Sequence, residues 1–140
     1  MAEMTKQRPG TMRLIDAMKY RLPLAGWVSI LHRVSGLIMF LLLPFIIWMF
    51  DTSVTSEISY ERFTNAFVAG IGWFPAWAVK IVVLGLIWSF LHHFVAGIRH
   101  LWMDMTHSVT KELGHMSAVS TLVSSRGLTA LLAAKLFGSY

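Results

Sequence analysis

The chain has 140 residues, of which 56% are hydrophobic and 14% charged, against about 25% charged residues in ordinary soluble domains. This imbalance favours an integral membrane protein, and the absence of cysteine excludes disulfides, thiolate zinc sites and cysteine-held iron–sulfur clusters in this chain. The net charge is +5, and the charged residues flank apolar runs. This arrangement indicates that they orient the chain in a bilayer, so no nucleic-acid partner is predicted.

The first half of the chain predicts one membrane span between two polar segments. Residues 1–25 are rich in Lys and Arg and lack an apolar stretch, so they predict a cytoplasmic N-terminal segment and not a signal peptide. Residues 26–50 predict transmembrane helix 1, since ~37 Å of helix crosses a ~30 Å hydrocarbon core, and Pro44 predicts a kink within it. Residues 51–72 predict a polar, periplasmic loop.

The second half predicts two further spans and a short loop. Residues 73–102 predict transmembrane helix 2, residues 103–115 a cytoplasmic loop, and residues 116–140 transmembrane helix 3 with the C-terminus. The third helix is diluted by serine, threonine and Arg126, which leaves an amphipathic surface helix as the alternative. The fold class is therefore all-α, with three transmembrane helices and a cytoplasmic N-terminus by the positive-inside rule.

A polar cluster interrupts the first predicted span. Ser29, His32, Arg33 and Gly36 are spaced by three and four residues, which predicts a shared helix face. Arg33 lies ~10 Å along the helix from its cytoplasmic start. A guanidinium at that depth is expected to face a cavity, an anion or a partner, and the alternative is that Arg33 reaches back to the interface.

A second cluster lies near the end of the second predicted span. His93 and His100 are seven residues apart and face the same way, rotated by only about 20°. Gly85, Ser89, His93 and Gly97 form a stripe at four-residue spacing, and small residues beside a histidine leave a flat slot that suits a porphyrin. The alternative is close helix packing through these small residues.

Because the two helices run in opposite directions, the two clusters are expected at similar depth near the cytoplasmic side. His92 points about 100° away from His93 and is expected to pack or bond locally. His32, Arg33, Arg99 and His100 would gather donors and positive charge for haem propionates. The second axial ligand of the iron stays open between His32 and a histidine from another chain, and three helices bury too little to enclose a haem alone.

The sequence SILHRVSG at 29–36 and the sequence HFVAGIRHLWMD at 93–104 resemble the two signatures of the cytochrome b556 membrane-anchor subunit of bacterial succinate dehydrogenase. The sequence KQRP at 6–9 is similar to the N-terminus of that family, and the resemblance covers about 6–112. It implies an inner-membrane, multi-pass protein of respiratory complex II, which serves the tricarboxylic acid cycle and aerobic respiration. The implied partners are a flavoprotein, an iron–sulfur protein and a second hydrophobic anchor.

The resemblance also implies roles for individual residues. His93 would be the axial ligand of the haem b iron, with the second ligand from the other anchor. His32, Arg33 and His100 would meet the haem propionates, and Ser29 and Arg33 would line the ubiquinone pocket. No residue of this chain is expected to be catalytic in the dicarboxylate chemistry, which would belong to the flavoprotein.

Two other functions stay open at this point. The first is a fumarate reductase anchor, which would run the electron flow in the reverse direction. The second is a small transporter or assembly protein with a buried Arg–His proton path, which predicts no haem and no co-purifying soluble subunits.

Overall fold

The computed structural model describes residues 13–107 and 110–139, and the regular elements in these two stretches are α-helices, as the sequence predicts. In chain order they are α1 (Leu14–Lys19), α2 (Leu24–Leu41), α3 (Leu43–Val54), α4 (Glu57–Val68), α5 (Ala76–Thr106) and α6 (Lys111–Ser139). The N-terminal motif at 6–9 lies outside the described residues.

The first predicted span is two helices with a break between them. The backbone leaves the helical region at Leu42, and Pro44 stands in the first turn of α3. Proline has no N–H, and its ring clashes with the carbonyl four residues earlier, so an unbroken helix through this point is disfavoured. The kink predicted from Pro44 is therefore confirmed, and it falls at Leu42.

The predicted polar loop at 51–72 contains a helix, which corrects that expectation. Ser56 and Ser59 form a reciprocal cap at the start of α4, with each side chain accepting from the other residue's backbone N–H at 3.2 and 2.8 Å. Ala66 and Phe67 at the end of α4 are buried against Val79 of α5. Capping and this apolar contact stabilise α4, which the polar composition of the segment did not predict.

A tight turn joins α4 to α5. Gly70 has φ +95°, and a Cβ there would collide with the Phe74 carbonyl oxygen, so only glycine fits. The Ile71 and Phe74 backbones exchange two hydrogen bonds of 2.9 Å. Pro75 then caps α5, which runs for 31 residues to Thr106.

Helices α2, α5 and α6 pack against one another through small and branched residues. Val28, Ala96 and Ala118 come one from each helix and are each fully buried, with 0% exposure. Small side chains let the backbones approach closely, which is typical of helix packing in membranes. This contact holds α2 against α5, and the two polar clusters that the sequence singled out lie on these helices.

Among the described residues, α2 and α5 are the helices long and apolar enough to cross a membrane. Helix α6 begins at Lys111, earlier than the predicted 116, and its 29 residues suffice in length. Its serine and threonine content keeps its hydropathy below that of α2 and α5. Many large apolar side chains on α2, α3 and α5 are exposed on this chain, which suits contact with lipid or with partner helices.

Candidate functional site

The α2 side of the site is organised around the His32 carbonyl group. The Ser35 hydroxyl donates to His32 O at 2.8 Å within the helix, and Ser35 is fully buried. Gly36, four residues after His32, lies one turn further along the face that meets α5. A Cβ at Gly36 would lie 2.9 Å from His93 Cε1, so glycine at this position lets the imidazole of α5 approach the α2 backbone.

The α5 side of the site is the imidazole of His93. Its Nδ1 lies 2.9 Å from His32 O and 3.3 Å from Ser35 Oγ. Because a carbonyl oxygen can only accept, Nδ1 must carry the proton and donate it. The lone pair then lies on Nε2, which makes no hydrogen bond within residues 13–107 and 110–139. A backbone carbonyl on one ring nitrogen is the usual way in which proteins fix a histidine for ligation through the other.

Three histidines from two helices converge at this point. The rings of His32 and His93 stack with centroids 4.1 Å apart and an interplanar angle of 17°. His100 lies 5.2 Å from His32 with its ring tilted by 53°. Gly97 faces the same ring, since a Cβ there would lie 3.6 Å from His32 Nε2. All three rings are half-buried, so they line a surface that a ligand or partner can reach.

The stacking of the two rings decides whether His32 could bind the same iron as His93 from the opposite side. A histidine binds iron through a nitrogen lone pair in the ring plane, whereas His32 presents its face to the face of His93. A separation of 4.1 Å between parallel rings leaves no room for a porphyrin between them. In this arrangement the His32 ring lies beside the His93 ring and does not face it across a space that could hold a haem.

Arg33 and Ser29 lie away from the histidine contact, although the sequence predicted a face shared with His32. Arg33 is exposed and Ser29 is half-exposed, and neither side chain forms a hydrogen bond within the described part of the chain. Val28, His32 and Ser35 occupy the middle of the face toward α5, so Ser29 and Arg33 stand about 100° further round the helix. Asp104, on the last turn of α5, is also exposed.

His92 points away from the site, as predicted. It is fully buried, its Nδ1 lies 3.3 Å from Ser125 Oγ on α6, and its ring stacks on Trp88 with centroids 5.5 Å apart. Its Nε2 and the Ser89 hydroxyl have no hydrogen-bond partner among the described residues. His92 therefore belongs to the α5–α6 contact.

Arg99 corrects the prediction that it joins the positive rim around the histidines. It is 7% exposed and turned toward α6, where its Nε donates to Ser117 Oγ at 2.9 Å and its Nη2 to Gly114 O at 3.4 Å. Ser35 is the contributor that sequence reasoning missed. Its signal was its position three residues after His32, where a serine hydroxyl can reach the His32 carbonyl.

The residues present fit one axial position of a haem. His93 offers a free Nε2 on an oriented ring, and His32 and His100 offer further ring nitrogens beside it. Although these three histidines lie close together, no three metal-binding side chains within the described ranges are arranged to hold one metal ion between them, because the rings stack or tilt against one another.

Comparison with known proteins gives a consistent result. The family model described as "Succinate dehydrogenase/Fumarate reductase transmembrane subunit" matches residues 4–132. A succinate dehydrogenase cytochrome b556 subunit from Paracoccus denitrificans is 30% identical over 80% of this chain and 81% of its own length. The protein of the same name from Coxiella burnetii is 30% identical over 79% of this chain and 84% of its own length.

Proposed function

Because the chain belongs to the succinate dehydrogenase/fumarate reductase transmembrane subunit family, we propose that it anchors succinate dehydrogenase in the inner membrane and helps to bind haem b and ubiquinone. In this role it joins a flavoprotein, an iron–sulfur protein and a second hydrophobic anchor. The chain holds ubiquinone where electrons from the iron–sulfur protein can reach it. The complex then links the tricarboxylic acid cycle to aerobic respiration.

The observation that carries the haem proposal is the hydrogen bond from His93 Nδ1 to the His32 carbonyl, 2.9 Å long. It fixes the tautomer and the ring plane, so His93 binds the iron through Nε2 on one side. Haem b, when bound, supplies a one-electron redox centre beside the quinone. A further ligand would come from the second anchor, since the His32 ring stacks against the His93 ring.

His32 and His100 hold the haem propionates in this proposal. The His32 ring lies next to His93, the His100 ring lies 5.2 Å from the His32 ring, and both His32 and His100 keep a nitrogen that can donate to an anion. Arg33, one residue after His32, adds a guanidinium that is exposed and able to turn toward the same carboxylates. Donors from both α2 and α5 would thus hold the propionates.

Ser29 and Arg33 bind the quinone on the open side of α2. The Ser29 hydroxyl donates a hydrogen bond to one quinone oxygen, and Arg33 stabilises the negative charge that develops there during reduction. Such a charge is stabilised strongly only where water is excluded. Their exposure on the isolated chain is consistent with a pocket that the iron–sulfur protein and the second anchor close.

Helix α6 completes a three-span anchor with the N-terminus in the cytoplasm. Arg126 lies ~22 Å along α6 from its start at Lys111 and is exposed on this chain. In lipid a central arginine costs at least ~2.5 kcal/mol, so a neighbouring helix with polar groups is expected to cover it. The second anchor is the partner that provides this cover.

Purification through a tag on this chain tests the proposal. The expected result is a complex with a flavoprotein, an iron–sulfur protein and one further hydrophobic subunit, together with a b-type band in a reduced-minus-oxidised spectrum. Turnover with succinate and ubiquinone should exceed turnover with fumarate and reduced quinol, and the opposite ratio would identify a fumarate reductase anchor. A chain that purifies without haem and without soluble subunits would refute the proposal.

A further inference from the structure

A cavity lies at the end of the bundle where α2 begins and α5 ends. It has a volume of about 580 Å³ and lies between the segment before α2, the last turns of α5 and the first turns of α6. Within residues 13–107 and 110–139, its lining contains four basic side chains and no carboxylate. They are Arg21, Arg99, Lys111 and His115.

Arg99 gives this cavity a buried positive charge. The side chain is 7% exposed, and its two hydrogen bonds go to the neutral acceptors Ser117 Oγ and Gly114 O. It forms no ion pair with a carboxylate in residues 13–107 and 110–139. Glu112, in the first turn of α6, is exposed and does not line the cavity. Burial of a charged guanidinium is costly, and an anion close by would lower that cost.

Two helix N-termini face the same space. Pro23 and Leu24 at the start of α2 and Thr110 and Lys111 at the start of α6 all belong to the lining. The first turns of a helix carry unpaired N–H groups and the positive end of the helix dipole. The two dipoles therefore add to the field of the basic side chains.

The cavity lies at the level of the membrane surface. Both apolar spanning helices end there, α2 at Leu24 and α5 at Thr106. Trp27 and Trp102 near these ends are 52% and 60% exposed. Exposed tryptophans at the ends of apolar helices lie at the depth of lipid headgroups, where phosphates are the abundant anions.

We propose that this cavity is a phosphate-binding site at the membrane surface, filled by the headgroup of an anionic phospholipid. Arg99 contacts the phosphate from below, and Lys111 and Arg21 contact it from the water side. The site is separate from the histidine cluster, because Arg99 faces α6 whereas His93 and His100 face α2. The bound lipid would tie the start of α2 to the start of α6.

The test uses the complex that co-purifies with a tagged form of this chain, after its lipid has been removed by detergent exchange. Binding of phosphatidylglycerol and of phosphatidylcholine is measured by native mass spectrometry, and binding of inorganic phosphate by thermal shift. The variants are Arg99→Gln and Lys111→Gln. Lys135→Gln is the matched control, since Lys135 is an exposed lysine near the other end of α6.

We expect one phosphatidylglycerol to bind more tightly than phosphatidylcholine. Lys111→Gln should weaken that binding about fivefold, as expected for one basic residue near an anionic headgroup, and Lys135→Gln should leave it unchanged. Arg99→Gln should weaken it further. If the Arg99→Gln complex fails to assemble, lipid binding by the Lys111→Gln complex still tests the site, because Lys111 is exposed.

The two sources of phosphate give different results. Lipid binding that depends on Lys111 supports the headgroup, whereas phosphate binding that depends on Lys111 without such lipid binding supports a free anion at the same site. Equal effects of Lys111→Gln and Lys135→Gln, or no effect of either on both ligands, would overturn the phosphate site.

Discussion

Gly36→Ala should displace the imidazole of His93. A Cβ at residue 36 would lie 2.9 Å from His93 Cε1 and 3.2 Å from its Nδ1, while an ordinary contact is about 3.4 Å or more. The ring cannot give way easily, because it is stacked on His32 at 4.1 Å and bonded to His32 O at 2.9 Å. The helices must therefore separate, or His93 must turn and lose the hydrogen bond that orients it.

The cost follows from two opposing terms. Overpacking of a tight contact costs ~1–3 kcal/mol, and replacing a helical glycine by alanine returns up to ~1 kcal/mol. The net loss of stability is therefore about 0–3 kcal/mol, so the chain should still assemble. The larger effect is on the position of His93 Nε2, where small displacements of a metal ligand alter the haem spectrum and potential.

The assay is the reduced-minus-oxidised spectrum of the purified complex, with its haem content and midpoint potential. Gly127→Ala is the matched control, because a Cβ at this exposed glycine of α6 meets no atom within 4 Å. We expect a shifted or weakened haem band in Gly36→Ala and an unchanged band in Gly127→Ala. Identical spectra and potentials for Gly36→Ala and the unmodified complex would refute the proposed approach of His93 to the α2 backbone.

Substitutions at three further positions test the role of the Ser35 hydroxyl, the quinone site and the turn before α5. Ser35→Ala removes the weaker hydrogen-bond acceptor near His93 Nδ1. The complex should therefore keep its haem, lose ~0.5–1.5 kcal/mol of stability and show a raised haem midpoint potential. Loss of the haem would contradict this prediction. Arg33→Gln should lower quinone reduction at least about tenfold while succinate oxidation with an artificial acceptor stays intact, and Arg33→Lys should restore part of the rate. Gly70→Ala should destabilise the turn before α5 by ~1–3 kcal/mol, measured by thermal melting, without shifting the haem band of the complex that does assemble.

Helix spacing predicted His93 and His100 on one face of α5, but it was wrong for Ser29 and Arg33, which it had placed on the same face of α2 as His32. His93 and His100, seven residues apart, share a face because seven residues make nearly two full turns. His32 was placed at the level of His93 by counting residues from the ends of two antiparallel helices, and the two rings meet in the structure. Both results need only helix geometry and the direction of the chain.

The position of Arg99 could also have been derived, although it was grouped with the histidines. Six residues separate it from His93, which is a rotation of about 240° and therefore a different face. Helix spacing does not say which neighbour occupies that face. The neighbour is α6, whose Ser117 and Gly114 accept the hydrogen bonds of Arg99.

Local composition did not predict the secondary structure correctly outside the apolar segments. Helix α4 was predicted as a loop, because its polar residues conceal the few buried ones that hold it. Its stability depends on the Ser56 cap and on the contact of Phe67 with α5, which is a tertiary interaction that no local pattern records. The same holds for Gly36, whose importance arises from a ring 57 positions further along the chain.

The most direct test of the central claim compares His93→Ala with His92→Ala in the purified complex by a reduced-minus-oxidised spectrum. The two histidines are neighbours in sequence, but His93 contacts the α2 carbonyl whereas His92 is buried against α6. We expect His93→Ala to lose or shift the b-type band and His92→Ala to keep it. A normal band in His93→Ala would contradict the assignment of His93 as the ligand of the haem iron.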